Sequence, residues 1–265
     1  MFDGGCLLRR KLLLSLFLLT ALVSCTLTGA DNLLSDTPDS GVIAGWRQIA
    51  PGLEWRVYPY GDGASTEISV VRIDPVNYVF RVHYTPNIVR SRNAWAENLP
   101  EAVAFINTSF YDENNVPLGL VIADGVASGF SYQDRGGTFF VQNDTPRLQS
   151  VLSGPLDTTS LQQAVQTFPM LMINGAQSYR QDTPSARRSA VGIDQQGHIL
   201  LMVTSRGGTT LNGLSEFLAQ SDMSLVNAMN FDGGGSSMMT VRAGDFVYRF
   251  ASIDSVPVVL AVYPR

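Results

Sequence analysis

Between Trp46 and Tyr84 apolar and polar residues alternate in three short runs, residues 53–58 (LEWRVY), 68–73 (ISVVRI) and 78–82 (YVFRV), separated by Asp62-Gly63 and Asp74-Pro75. Successive side chains of a strand point to opposite faces, so this alternation predicts a meander of antiparallel strands with one face buried. Residues 92–99 have helical spacing, and the apolar run 100–106 directly after them reads as a buried strand. Further strands are predicted around residues 118–122, 138–141, 170–173, 190–194, 199–204, 225–230, 238–241 and 256–263. Composition predicts two more helices, 160–166 and 214–223. The second places Leu214, Phe217 and Leu218 at helical spacing, with Thr210 or Asn212 as its cap. The expected fold class is α+β: a strand-rich single domain with a mixed β-sheet and a few packed helices.

The opening segment departs from this pattern. Arg9-Arg10-Lys11 precede an apolar stretch over residues 12–23, long enough for the core of an export signal and too short to span a bilayer comfortably. It ends in Leu22-Val23-Ser24-Cys25, the arrangement of a lipobox, in which the thiol is acylated after cleavage before it. The expected organisation is a lipoprotein signal peptide over residues 1–24, a flexible Asp-, Ser- and Thr-rich tether over 25–40, and a folded domain over 41–265. Acyl chains on Cys25 would hold the protein to a membrane, since each buried methylene contributes about 0.8 kcal/mol. The expected location is therefore a bacterial cell envelope, as an exported, membrane-anchored lipoprotein. An ordinary secretory peptide and an uncleaved anchor are the alternatives.

Composition then narrows the chemistry. The two cysteines, Cys6 and Cys25, both lie in or at the edge of the leader, so the domain cannot hold a disulfide, a thiolate metal site or a cysteine nucleophile. Lys11 is the single lysine, and its removal excludes Schiff-base chemistry and a P-loop. Loss of Asp3, Arg9, Arg10 and Lys11 with the leader takes the net charge from −5 to −7. Such a balance argues against nucleic acid, which demands a basic footprint.

Polar residues at the ends of buried strands are the candidates for function, because a rigid strand delivers a side chain to one place. Three stretches qualify: Ile106 to Asp112, Met172 to Gly175 with the following Ala186 to Gly192, and Asn230-Phe231-Asp232-Gly233-Gly234-Gly235-Ser236-Ser237. The last is the strongest. Three glycines after an aspartate let backbone N–H groups approach a ligand as an anion-binding nest; a hairpin turn uses the same residues. A dinucleotide fingerprint is absent, since the spacing differs and no βαβ unit follows.

These stretches resemble the phosphodiester glycosidase family. Asn230 to Ser237 is similar to its Asn-Leu-Asp-Gly-Gly-Gly-Ser signature, Asn107 to Tyr111 to its Asn-Gly-Gly-Phe-Phe, and Leu120 to Gly125 to its Gly-Leu-Val-Ile-x-Asp-Gly. Asn174-Gly175 and Arg188 to Gly192 resemble its Asn-Gly and Arg-Thr-Ala-Ile-Gly, in the same order. Thr108 and Ser109 stand in place of two glycines, and Ser205-Arg206-Gly207 stands where Asp-Gly-Arg is common. The resemblance implies hydrolysis of a sugar-1-phosphodiester.

For that reaction Asp232 is the candidate nucleophile or base, Arg188 the phosphate clamp, and Asn107 a third catalytic residue. Asn174, Asn230, Gly233, Gly234, Ser236, Asp112 and Asp124 are candidate substrate contacts, with turn capping as the alternative for the asparagines and a plain turn or solvated loop for Asp124 and Asp112. His83 and His198 have no ligand-like spacing and read as structural. No cofactor is required; oxygen ligands such as Asp232, Asn230 and Asp112 could hold Ca2+ or Mg2+, though nothing in their spacing demands it. The expected partner is an envelope glycan or exopolysaccharide carrying the phosphodiester. A lipoprotein that binds such a glycan without turnover, and a glycosidase acting on phosphate-free linkages, are the competing functions.

Overall fold

The computed structural model describes residues 45–61 and 65–265. The expected signal peptide, Cys25, the tether and the start of the domain at residue 41 lie outside the described residues.

The first half contains β1 (Arg47–Ala50), β2 (Leu53–Tyr60), β3 (Thr66–Ile73), β4 (Tyr78–Tyr84), α1 (Arg92–Asn98), β5 (Ala104–Asn107), β6 (Phe110–Tyr111), β7 (Pro117–Leu118), β8 (Val121–Ala123), β9 (Val126–Ser128), β10 (Gly137–Gln142) and β11 (Thr145–Ser150). The second half contains β12 (Gln163–Thr167), β13 (Met170–Ile173), β14 (Ala176–Gln177), β15 (Ser189–Asp194), β16 (Ile199–Thr204), α2 (Leu211–Gln220), β17 (Leu225–Phe231), β18 (Met239–Ala243), β19 (Phe246–Phe250) and β20 (Val258–Pro264).

Three larger sheets result, ordered β1-β2-β3-β16-β15-β17-β13-β14, β11-β10-β12-β8-β9 and β19-β18-β5-β20-β4. Every strand pair among the described residues is antiparallel, for instance β15 with β16 and with β17, and β20 with β4 and with β5. The expected mixed sheet is thereby corrected, and the reason lies in the crossovers. The segment holding α1 joins β4 to β5 and the segment holding α2 joins β16 to β17, each a pair of strands running the same way. In both cases a third strand, β20 or β15, is inserted between them. Parallel neighbours are converted into antiparallel ones.

Two further expectations are corrected. Residues 160–166, expected to be helical, form strand β12 instead: Gln163 to Thr167 are all buried, hydrogen-bonded between β10 and β8. The helix-forming Gln and Ala of this stretch are overruled by their place in the middle of a sheet. The meander stops after β3, because β4 leaves for another sheet to pair with β20. Strand β19, with the alternating FVYRF, went unread.

Alternation also fixes where the core lies. On β16, Ile199, Leu201 and Val203 join the main core with Ile106, Leu260, Met229 and Phe231. The intervening Leu200 and Met202 pack on the opposite face under Leu211, Leu214 and Leu218 of α2. Thr210 caps that helix, its hydroxyl accepting from the Gly213 N–H at 2.9 Å. A third cluster surrounds Trp95 of α1.

Candidate active site

Strand β17 is buried along most of its length and leads into Asp232, running beside β15 in the register Ser189 to Phe231 and Ala190 to Asn230. Asn107, at the end of β5, fastens this corner. It is 1% exposed, donates from Nδ2 to the Asp232 carbonyl at 2.7 Å, and accepts at Oδ1 from Ser189 Oγ (2.8 Å) and the Met238 N–H (3.0 Å). The Asp232 N–H in turn donates to the Thr108 carbonyl at 2.7 Å. Segments far apart in sequence therefore meet here, with Asn107 acting on the Asp232 backbone and not on the cavity.

The Asp232 side chain opens into a cavity of about 310 Å3 lined by Phe110, Tyr111, Leu118, Tyr132, Phe168, Asp232 and Ser236. The walls are aromatic. Phe168 lies 4.9 Å from the Phe110 ring and meets Tyr132 edge-on at 5.3 Å. The Tyr111 hydroxyl lies 3.3 Å from Ser236 Oγ and donates to the Ser255 carbonyl. Burial pushes the Asp232 carboxyl up to about 6; hydrogen bonds from Ser236 and the Gly233 N–H pull it down, and the Asp254 charge pushes it further up.

The glycine run after Asp232 is neither of the two devices expected. It is no hairpin, because β17 and β18 belong to different sheets. Residues Gly234–Ser236 instead form one 3-10 turn. Nor is it an open nest: the N–H groups of Gly234, Ser236 and Ser237 donate to the carbonyls of Arg187, Gly233 and Gly234. Gly234 takes a left-handed φ of 60°. At Gly235 a Cβ would fall on the Asp254 carboxylate, an exposed side chain that would have to swing aside. Arg187 grips the turn from outside, donating from Nε to Gly234 O (2.9 Å), Nη2 to Gly235 O (3.0 Å) and Nη1 to Ala251 O (3.0 Å).

Arg188 lies next to this turn, with Nη1 3.6 Å from where a Cβ on Gly233 would be. Its Nε donates to the Thr209 carbonyl (3.0 Å) and its Nη2 to the Pro184 carbonyl (2.7 Å), and it is not among the residues lining the Asp232 cavity. Asn230 sits beneath Phe168, donating from Nδ2 to the Phe168 carbonyl at 3.1 Å, while its Oδ1 is buried without a partner among the described residues. Asn174 is at the β13–β14 turn, facing a separate cavity of about 460 Å3 that includes Asn227 and Asp194. Asp124 holds the β8–β9 turn and accepts from Gln163 Nε2 at 2.7 Å. Asp112 Oδ1 accepts from the Asn114 and Val116 N–H groups within its own loop. His83 bonds Tyr263 and His198 bonds Asp194. Among the described residues no three His, Cys, Asp or Glu side chains cluster as a metal site.

Of the expected set, the structure thus brings Asp232, Gly233, Gly234, Ser236, Asn107 and Asn230 to one corner, with Arg188 beside it, and leaves Asn174 and Asp124 elsewhere. Sequence reasoning missed Tyr132, Phe168 and Asp254, and named Arg187 only as part of a candidate stretch. Phe168 and Tyr132 follow no chemical pattern in the chain, whereas Arg187, adjoining a named motif, was within reach.

A burial-perturbed carboxylate in an aromatic-walled cavity, at the end of a strand within antiparallel sheets, defines a candidate hydrolytic site. The sequence profile of the phosphodiester glycosidases matches residues 100–263, and the chain belongs to that family. No curated protein matches the chain in sequence. In fold it is similar to the catalytic domain of zebrafish N-acetylglucosamine-1-phosphodiester alpha-N-acetylglucosaminidase, solved in a form auto-inhibited by its pro-peptide, at 17% identity and a TM-score of 0.63, covering 82% of this chain and 85% of that one. A hypothetical protein from Synechocystis is similar at 15% identity and a TM-score of 0.59, covering 81% of this chain and 62% of that one. At these identities the likeness is one of fold.

Proposed function

We propose that the protein hydrolyses a sugar-1-phosphodiester borne on an envelope glycan or exopolysaccharide, with Asp232 acting at the anomeric carbon as nucleophile or as base for water. The observation that carries this reading is the position of the Asp232 carboxyl, buried at the end of β17 yet open to the aromatic cavity. Ordinary glycoside hydrolysis uses two carboxyl groups, one of them to protonate the leaving oxygen. A departing phosphate is already a stable anion, so one carboxylate suffices. The rings of Phe110, Tyr111, Tyr132 and Phe168 offer apolar faces to the C–H face of a sugar, with the Tyr hydroxyls available to its oxygens.

Asn107 and Arg188 then serve as positioning residues. Asn107 fixes the Asp232 backbone, and Arg188 spends two of its nitrogens on main-chain carbonyls beside Gly233. Lipidation at Cys25 would hold the domain near its glycan. Mass spectrometry of normally matured protein with an unmodified Cys25 would remove that part of the proposal.

The test is release of free sugar from a panel of sugar-1-phosphodiesters. Wild-type protein should turn over at least one, and Asp232→Asn should lose at least a thousandfold in rate, as expected when a charge acting on the transition state becomes an amide. A wild-type protein that binds these compounds but never releases sugar is the glycan-binding lipoprotein instead.

A further inference from the structure

A phosphodiester calls for a cation, yet the residues lining the Asp232 cavity include a carboxylate and no positive group. Arg187 and Arg188, the arginines beside the Gly233 turn, are tied to main-chain carbonyls. At the aromatic end the situation differs. The Arg135 guanidinium carbon lies 5.8 Å from the Phe168 ring centre and 6.0 Å from that of Tyr132, both of which line the cavity. We infer that Arg135 is the anion-recognition residue of this site, taking the phosphate of a sugar phosphate at the cavity mouth while the sugar ring lies among the aromatics beside Asp232. This rests on the reading of the protein as a phosphodiester glycosidase.

Three features support the assignment. First, Arg135 is available: its side chain is 57% exposed, and its partner is its own neighbour Asp134, itself 69% exposed. Exposed pairs of this kind contribute little, so an incoming anion can displace the partner. Second, Asp134 already marks the geometry. Its two oxygens accept from Arg135 Nε at 3.1 Å and Nη2 at 3.0 Å, the parallel pair of bonds that a guanidinium also offers to two phosphate oxygens. Third, the loop carrying Arg135 is fastened on both sides. The buried Gln166 accepts from the Tyr132 N–H and donates to the Tyr132 carbonyl at 3.1 Å. On the other side Gly136, at a φ of 76°, lies against the Thr167 carbonyl so closely that a Cβ would collide with it. The guanidinium is thus held by a pinned loop against two of the rings that line the cavity.

The experiment titrates the full chain with N-acetylglucosamine-1-phosphate and glucose-1-phosphate, and with the same sugars lacking phosphate, at low ionic strength so that exposed charges are not screened. Arg135→Ala should weaken sugar phosphate binding at least tenfold and leave the phosphate-free sugars unchanged. Arg135→Lys should recover part of the loss. Asp134→Asn, which removes the competing carboxylate, should tighten sugar phosphate binding a few-fold, a gain that a structural role for the pair would not give. Equal binding by wild type and Arg135→Ala, including absent binding by both, overturns the inference, as does equal loss on sugars with and without phosphate. Turnover separates the two readings. Undiminished phosphodiester hydrolysis by Arg135→Ala sinks the assignment and keeps the hydrolase, whereas Arg135-dependent binding with no turnover of any diester keeps the anion site and sinks the hydrolase.

Discussion

Burial raises the Asp232 carboxyl to about 6, against an ordinary 3.8, so the folded protein keeps this proton over a range in which the unfolded chain has released it. Between about pH 4 and pH 6 the native state binds more protons, and linkage then requires stability to fall as pH rises through that window, levelling off above it. Two units of difference correspond to at most about 3 kcal/mol. Asp232→Asn should therefore raise the melting temperature at pH 7 by about 5–10 °C for a domain of this size. The gain should vanish below about pH 4, where the carboxyl is protonated in the folded and the unfolded state alike. Differential scanning calorimetry across pH decides the matter, and a variant no more stable than wild type at pH 7 contradicts it. On the role proposed for Asp232, the same shift also sets an activity profile. A nucleophile or base must be ionised, so hydrolysis should rise with pH through about 6. In the proposed reaction the ionised form that acts is the one in which the fold is less stable.

The turn after Asp232 depends on one arginine. Arg187 donates to three carbonyls, on Gly234, Gly235 and Ala251, and charge-assisted bonds of this kind are worth about 1.5–3 kcal/mol each before non-additivity. Arg187→Ala should cost about 3–5 kcal/mol in denaturant unfolding, and Arg187→Lys should recover little, because an ammonium cannot span three acceptors in that planar arrangement. Gly235→Ala should cost little stability, since its Cβ displaces the exposed Asp254 carboxylate rather than core; a loss of several kcal/mol in denaturant unfolding would contradict this. At α2 the Thr210 cap predicts a loss of about 1 kcal/mol on Thr210→Ala. This is also the scale at which the sequence can be read unevenly. The cap, the alternating strands and the polar strand ends at Asn107 and Asp232 are local patterns, and they were legible. Strand β12 was not, because Gln163, Ala164 and Gln166 favour a helix until two neighbouring strands bury them. Tyr132 and Phe168 acquire meaning only when the β9–β10 loop is folded against the end of β12.

Across the whole molecule, the topology turns on insertions. β15 lies between β16 and β17, and β20 lies between β5 and β4. No local feature of residues 258–264 announces that they will divide two strands formed some 150 positions earlier, which is why a mixed sheet was expected and an antiparallel one found. β20 pairs Val259 with Asn107, the residue that anchors Asp232, so one strand supports both the sheet and the site. A chain lacking residues 258–265 should therefore show no cooperative melting transition, and a sharp transition in that truncation would contradict the role given to β20.

The placement of β20 also governs time. A ribosome adds residues at about 5–20 per second, and domains generally fold as units as they emerge from it. Here β5 and β4 have no shared neighbour until Val258–Pro264 has been made, so the sheet that carries Asn107 cannot close on a partial chain. Closure joins segments separated by most of the domain, a contact pattern that folds slowly. The sheet around Asn107 therefore waits for β20, whereas the pairings among β15, β16 and β17 do not involve it.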